Sequence, residues 1–492
     1  MKKYQIVIAI IVVIILTAAA SYSAIHSGKK ELKNKKTTNG AAVTTAGTVT
    51  TGTAVTMAAI KTFPLLPAKS YMKNSAEIKD GITTSAAIVI KLKKKDEIKI
   101  EESKTDTAGK SWSKITVKTS EKTLSGWTLT ENVAKEYKDL LKEKYSSLDF
   151  SSFPKAENYP NNSRVKVKGV YCTLYSASGS RLEKLIEMTK TTKINAFVID
   201  VKDDNGNMLF KTAAAEKFVP AANKGAPIKD VAAFIKKLKE NNIYAIARIV
   251  CFKDPNYAKA YPDRVITYKA TGAPFVNADK LTWVSAHDRN LWEYNVSVAK
   301  EAAAAGFNEI QFDYVRFPAS NGGKLDASLN YRNDKNETKP QTIQEYLKYA
   351  RKELQPLNVY LGADIYGLVG SVEDDMGLGQ YWEAVSNVVD YVCPMMYPSH
   401  YGNGSYGLSV PDAFPYKTVY VSTRDSVARN KNISTPAIIR PWIQDFTAAW
   451  VKGHIRYGDQ QVRDQIKALE DNGVDEFLLW NAGNKYTESA LK

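Results

Sequence analysis

After Arg164 the chain alternates between strand-like apolar runs and helical patterns, and this alternation restricts the fold more than any other feature. The runs lie at 167–173, 196–202, 243–250, 309–315, 359–366, 391–396, 437–442 and 476–480. Helical periodicity marks 181–192, 228–241, 291–306, 343–357, 381–388 and 458–472. Eight such units in one stretch predict an α/β fold, a (β/α)8 TIM barrel with enlarged loops. An open doubly wound sheet is the alternative, but no Gly-rich phosphate loop follows the first strand.

Barrels of this kind gather chemistry where their strands end, and side-chain alternation decides which residues enter the lumen. The fourth run reads Gln311-Phe312-Asp313-Tyr314-Val315-Arg316-Phe317-Pro318, with Gln311 and Asp313 on one face. Asp364 and Tyr366 share a face of the fifth run, Asp200 and Lys202 one of the second, and Ile246 and Arg248 one of the third. The last three strands end in Tyr397 and His400, in Arg440, Trp442 and Gln444, and in Trp480 and Asn481. Carboxylates, arginines and aromatic faces on one rim suit a sugar: aromatic rings stack on pyranose CH groups while Asp, Arg, Gln and Asn bond hydroxyls. Glycosidic cleavage needs one protonated carboxyl and one carboxylate. Asp313 is assigned as nucleophile or base and Asp364 as acid, with exchange of roles left open. Asp200 is the third candidate, its alternative being a strand-end ion pair to Lys202 or Arg248. Arg248 or Arg316 is expected to favour an ionised Asp313. Arg248, Gln311, Arg316, Tyr366, Tyr397, His400, Trp442, Gln444, Trp480 and Asn481 are the expected substrate contacts. No metal-ligand spacing is present, the Glu373-Asp374-Asp375 run reads as a solvated loop, and no cofactor is expected.

The first third of the chain is different. Met1-Lys2-Lys3 precedes an apolar run ending near Ile25, read as a cleaved signal or a retained membrane anchor, which would put the rest outside the cytoplasm. Residues 26–65 are a Thr/Ala/Lys-rich tether without hydrophobic periodicity. Short alternating strands fill 66–134, and a charged helical connector with a Pro-marked linker spans 135–164 before the barrel at 165–492. Residues 1–164 hold 27 Lys and Arg against 15 Asp and Glu, so most of the formal charge of +16 lies there. Anionic lipid or wall polymer is the expected counter-charge. Nucleic acid is not expected, because no binding fold accompanies the basic residues. Cys172, Cys251 and Cys393 sit in apolar runs without a zinc pattern and read as buried free thiols.

The features of 66–134 resemble a bacterial SH3-like domain: Lys93-Lys94-Lys95-Asp96, Trp112 opening Trp-Ser-Lys-Ile-Thr-Val, then Gly126-Trp127, although Met72-Lys73-Asn74-Ser75 replaces the usual Arg-Ser-Gly. That resemblance implies wall or peptide binding, with a spacer role as the alternative. From about 166 to 486 the chain resembles a TIM-barrel glycoside hydrolase family of unknown specificity found in bacterial surface proteins. The resemblance rests on Val-Ile-Asp-Val-Lys-Asp at 198–203, Ala-Arg-Ile-Val at 247–250, Phe-Asp-Tyr-Val-Arg-Phe-Pro at 312–318, Ala-Asp-Ile-Tyr-Gly at 363–367 and Pro-Met-Met-Tyr-Pro-Ser-His at 394–400. It implies a barrel that cleaves carbohydrate and does not settle the substrate; a polysaccharide, such as the producing cell's own exopolysaccharide or wall polymer, is expected from the tether and the basic module. The Asp-x-x-Asp-x-Asp-x-Glu pattern of chitinase-type barrels is absent, as is the Asp-x-Glu pattern of lysozyme-like barrels. A cell-wall muramidase and a non-catalytic glycan-binding surface protein are the rival readings.

Overall fold

The computed structural model describes residues 60–320 and 323–492. The expected export segment at 1–25 and nearly all of the tether lie outside the described residues. Among the described residues no helix is long and apolar enough to cross a membrane.

The N-terminal part is a separate antiparallel sheet of β1 (Ser70–Met72), β2 (Ala76–Lys79), β3 (Ile88–Leu92), β4 (Glu97–Thr105), β5 (Ser111–Lys118), β6 (Thr123–Leu129) and β7 (Val133–Ala134), in the order β3-β2-β6-β5-β4-β1-β7. Met72, Ile78, Leu92, Ile98 and Ile115 form its core. Gly126 has a steric cause: a Cβ there would stand 2.6 Å from the Lys79 carbonyl oxygen on the neighbouring strand. The connector forms no α-helix, contrary to expectation; it makes two 3-10 turns at Tyr137–Leu140 and Glu143–Tyr145. Its bonds go to the barrel instead, where the Tyr145 hydroxyl donates to Asp375 at 3.0 Å. Burying a tyrosine and its partner across the connector favours short turns over one solvated charged helix.

Eight parallel strands close on themselves: β8 (Lys168–Cys172), β9 (Ala196–Lys202), β10 (Tyr244–Val250), β12 (Glu309–Asp313), β14 (Tyr360–Tyr366), β15 (Tyr391–Met395), a split seventh strand of β16 (Ile438–Ile439) and β17 (Trp442–Gln444), and β18 (Phe477–Trp480). β14 pairs with β15 to complete the ring. A short antiparallel ribbon, β11 (Thr267–Tyr268) with β13 (Leu329–Asn330), decorates the loops. The seventh strand breaks at Arg440-Pro441 and resumes through Gln444, because Pro441 has no N–H for the ladder. The fourth strand ends at Asp313, two residues before the expected end, where Tyr314 turns into the left-handed region at φ 49°. The helix Pro415–Asn430 is not among the helices that periodicity marks. Its buried face is Thr418, Val419, Ser422, Thr423 and Ser426, small and mostly polar, so it carries no aliphatic stripe.

Apolar side chains divide into a layer between strands and helices and a lumen core rich in tyrosine: Tyr171, Tyr244, Tyr360 and Tyr391. Below them Arg440, expected at the mouth, lies at the opposite end. It is fully buried and donates to Glu309 at 2.8 and 2.9 Å and to Glu476 at 2.8 Å. Residues 60–63 and 151–164 strap this end. The Arg164 guanidinium lies over the rings of Tyr360 (4.4 Å), Tyr391 (4.8 Å) and Phe63 (5.3 Å), and Asn162 donates to the carbonyls of Asn308 and Asn358, each at 2.8 Å.

Candidate active site

Adjacent strands bring one arginine and three acids together. Arg248 on β10 faces Asp200 on β9 and Gln311 on β12 in register, and Asp313 lies one ladder step further along β12. The guanidinium is 1% exposed. Nε and Nη2 both donate to Asp313 Oδ2, at 2.9 and 2.6 Å. Nη1 donates to Asp200 Oδ1 at 2.6 Å, and Nη2 also reaches Asp204 Oδ1 at 3.2 Å. Asp313 Oδ1 accepts from the Tyr314 N–H at 2.5 Å. The tight left-handed turn at Tyr314 thus fixes the acid that precedes it.

Asp200 accepts a second hydrogen bond from the Tyr171 hydroxyl at 2.6 Å. Burial pushes its pKa up to about 7, against the pull of Arg248 and Tyr171. Lys202, expected on the same face as Asp200, points the other way. A bulge shifts the β9–β10 register between these positions, and the Lys202 ammonium bonds Asp254 (2.7 Å) and Asn295 (2.6 Å) on the helix side.

Asp364 sits deeper, 1% exposed. Its Oδ1 accepts from the Gln311 amide and from the Trp442 indole N–H (2.6 Å), while Oδ2 has no partner among the described residues. Burial, reinforced by the negative Asp313, raises its pKa well above the usual carboxylate range. Burial therefore favours the protonated form of Asp364, beside the guanidinium-paired Asp313.

Above these groups opens a cavity of about 180 Å3. Its lining includes Asp204, Arg248, Asp313, Tyr314, Arg316 and Tyr366, with Tyr397, His400, Trp442 and Trp480. Trp480 stacks on Tyr171 at 4.0 Å and meets Trp442 edge-on at 5.6 Å, which locks the aromatic wall. Burial lowers the His400 pKa to about 4, so the ring is neutral, and its Nδ1 lies 2.9 Å from Ser399 Oγ.

Eight of the thirteen expected site residues line this cavity: Asp313, Arg248, Arg316, Tyr366, Tyr397, His400, Trp442 and Trp480. Asp200, Gln311 and Asp364 lie just behind the lining and bond to groups in it or beside it. Gln444 and Asn481 do not belong to the site. Gln444 is wholly buried, accepting from Ser399 and donating to Asp412 and the Phe446 carbonyl. Asn481 donates to the Asp445 carbonyl at 2.6 Å and accepts from Gly483 N–H, which orders its loop. Among the described residues Arg316 does not pair with Asp313, and Arg248 does. Asp204 was missed, although it follows Asp203 just past the end of β9; a residue beyond the strand has no alternation to place it. Its side chain is 40% exposed, far more than Asp313, and its pKa is lowered by Lys253 and Arg248 against the opposing effect of burial. Tyr401 and Met395 also line the cavity without having been singled out. Among the described residues no group of His, Cys, Asp and Glu is arranged to hold a metal ion, and the three cysteines are buried and unpaired.

Among curated proteins none matches the sequence. Of solved structures, a hypothetical protein from Ruminiclostridium thermocellum is 33% identical over 40% of this chain and 96% of its own, with a TM-score of 0.35. The PgaB (BpsB) glycoside hydrolase domain from Bordetella bronchiseptica is 12% identical over 65% and 95% respectively, with a TM-score of 0.43. The PelA glycoside hydrolase domain from Pseudomonas aeruginosa is 10% identical over 65% and 96%, with a TM-score of 0.36. The model of one protein family, described as "Putative glycosyl hydrolase domain", matches residues 169–486, the whole closed barrel with its acidic mouth. The chain belongs to that family of glycosyl hydrolase domains.

Proposed function

We propose that this protein is an extracytoplasmic glycoside hydrolase that cleaves a polysaccharide with two carboxyl groups, Asp313 as nucleophile or base and Asp364 as acid. The observation that carries the reading is the contrast between two neighbouring acids. Asp313 bears two guanidinium hydrogen bonds, which suit a carboxylate, whereas Asp364 is buried with one oxygen unpartnered and its pKa raised. Environments that separate two carboxyls in this way divide acid from base. The aromatic wall of Tyr397, Trp442 and Trp480 suits the CH face of a pyranose. The basic N-terminal region, read from sequence as SH3-like, is proposed to hold the enzyme near an anionic wall or lipid surface.

A second assignment of the acid is favoured by exposure, although Lys253 and Arg248, against the effect of burial, lower the Asp204 pKa and oppose its protonation. Asp364 lies behind Trp442, while Asp204 opens directly on the cavity. Asp204 and Asp313 also share Arg248 Nη2, at 3.2 and 2.6 Å. Their bonded oxygens are therefore closer than the roughly 6.5–9.5 Å of inverting enzymes, which suits a retaining pair. The pH dependence of kcat/KM separates the two assignments. A general acid must be protonated, so activity falls as pH rises through its pKa. If Asp364 is the acid, Asp364→Asn loses roughly a hundredfold or more in rate together with the alkaline limb, and Asp204→Asn keeps that limb. Loss of the limb in Asp204→Asn alone reverses the assignment. Glycan binding without turnover in the wild type overturns both and leaves a lectin.

A further inference from the structure

Arg316 stands out among the cations in and beside the cavity. Arg248 is shared by Asp313, Asp200 and Asp204, and Lys253 faces Asp204 and Asp279. Arg316 is 8% exposed, and among the described residues no carboxylate forms an ion pair with it. One Nη1–H donates to the Phe317 carbonyl at 3.0 Å, and the guanidinium lies 4.8 Å from the Trp283 ring centre and 5.1 Å from that of Tyr314. A guanidinium carries five donors, and the single carbonyl bond leaves most of them free for a partner. The aromatic faces offset part of the desolvation cost but cancel no charge. A buried cation lacking a counter-ion is costly unless an anion joins it, and Arg matches planar or tetrahedral oxyanions better than any other side chain.

We propose that Arg316 binds an anionic substituent, a carboxylate or a phosphate, on the sugar held in this cavity, which makes the substrate an acidic polysaccharide. The inference rests on the reading of the cavity as a sugar site and adds the class of sugar. Arg248 is not available for this contact, because three carboxylates already occupy it. The acidic substituent is accordingly drawn to Arg316 and repelled by Asp204 and Asp313, which orients the ring in the cavity. The chain's excess of positive charge acts in the same sense, raising the local concentration of a polyanion.

The test is calorimetric titration of the full chain with three probes: a uronic acid trisaccharide, the same trisaccharide with its carboxyls reduced to alcohols, and a phosphate-substituted trisaccharide. Wild type, Arg316→Gln and Arg316→Lys are compared. The proposal expects an acidic probe to bind roughly tenfold or more tighter than the neutral one, the margin lost in Arg316→Gln and partly kept in Arg316→Lys. Whichever acidic probe binds tighter identifies the anion. Equal binding of acidic and neutral probes by wild type, or an undiminished margin in Arg316→Gln, overturns the proposal and leaves the glycosidase reading intact. Binding of no probe by wild type overturns the sugar-site reading itself and the proposal with it. The wild-type comparison of acidic with reduced probe decides the matter even if a variant fails to fold.

Discussion

Replacing Arg248 by methionine removes the positive charge that holds the mouth together. The side chain makes four charge-assisted hydrogen bonds to three carboxylates while 1% exposed. Each such bond is worth about 1.5–3 kcal/mol, but the four share one group and do not add. Removing one partner of a buried ion pair costs about 3–5 kcal/mol, and that is the loss expected at pH 8. The loss must depend on pH. Burial already pushes Asp200 up to about 7 with Arg248 in place, so without the guanidinium Asp200 rises further. A raised carboxylate pKa means that the folded state binds protons the unfolded state has released, so stability falls as pH rises through that pKa. Below about pH 6 Asp200 takes a proton and part of the deficit disappears. Urea denaturation of wild type and Arg248→Met at pH 5.5 and pH 8 measures both quantities, with an unchanged m-value as the control for two-state unfolding. A deficit under about 1 kcal/mol at pH 8, or one of the same size at both pH values, would refute the idea that buried acids depend on this arginine.

Three further outcomes follow from the same geometry. Asp364→Asn keeps the shape of the protonated acid and removes the cost of ionising it, so its melting temperature should equal or exceed that of wild type, the difference growing as pH rises above the ordinary carboxylate range; scanning calorimetry showing a lower value throughout contradicts this. Tyr171→Phe deletes the 2.6 Å bond to Asp200 and should cost about 1.5–3 kcal/mol in urea denaturation while leaving the Trp480 stack in place. Gln444→Ala leaves several buried groups unpaired and should cost about 1–3 kcal/mol with KM unchanged, since the residue lies outside the cavity; a large rise in KM would restore it to the site.

Most of the barrel could be read from the chain because parallel strands covered on both sides are near-continuous apolar runs, as in Phe197–Val201 and Ala245–Val250. Asp313 was legible because it ends such a run, and Asp364 because alternation from Leu361 points it inward. Alternation fails wherever the backbone leaves its regular period. The bulge in β9 turned Lys202 outward, and the left-handed Tyr314 ended β12 early. Asp204, Gln444 and Asn481 sit at or beyond strand ends, where loop hydrogen bonding rather than pleat decides direction. Arg440 shows the opposite error: it was placed at the mouth with the last residues of the expected seventh strand at 437–442, but that strand resumes after Pro441, which leaves Arg440 at the floor. Burial and partner geometry, which separate Asp364 from Asp313, have no signature in composition at all.

The central claim is that the paired carboxyls of this cavity hydrolyse a polysaccharide. Release of reducing ends from a panel of neutral and acidic bacterial and plant polysaccharides, by wild type beside Asp313→Asn, tests it most directly. The account predicts release from at least one acidic polymer and a fall of roughly a hundredfold or more in the variant. Release undiminished by Asp313→Asn, or binding to the same polymers with no release by wild type, would contradict it.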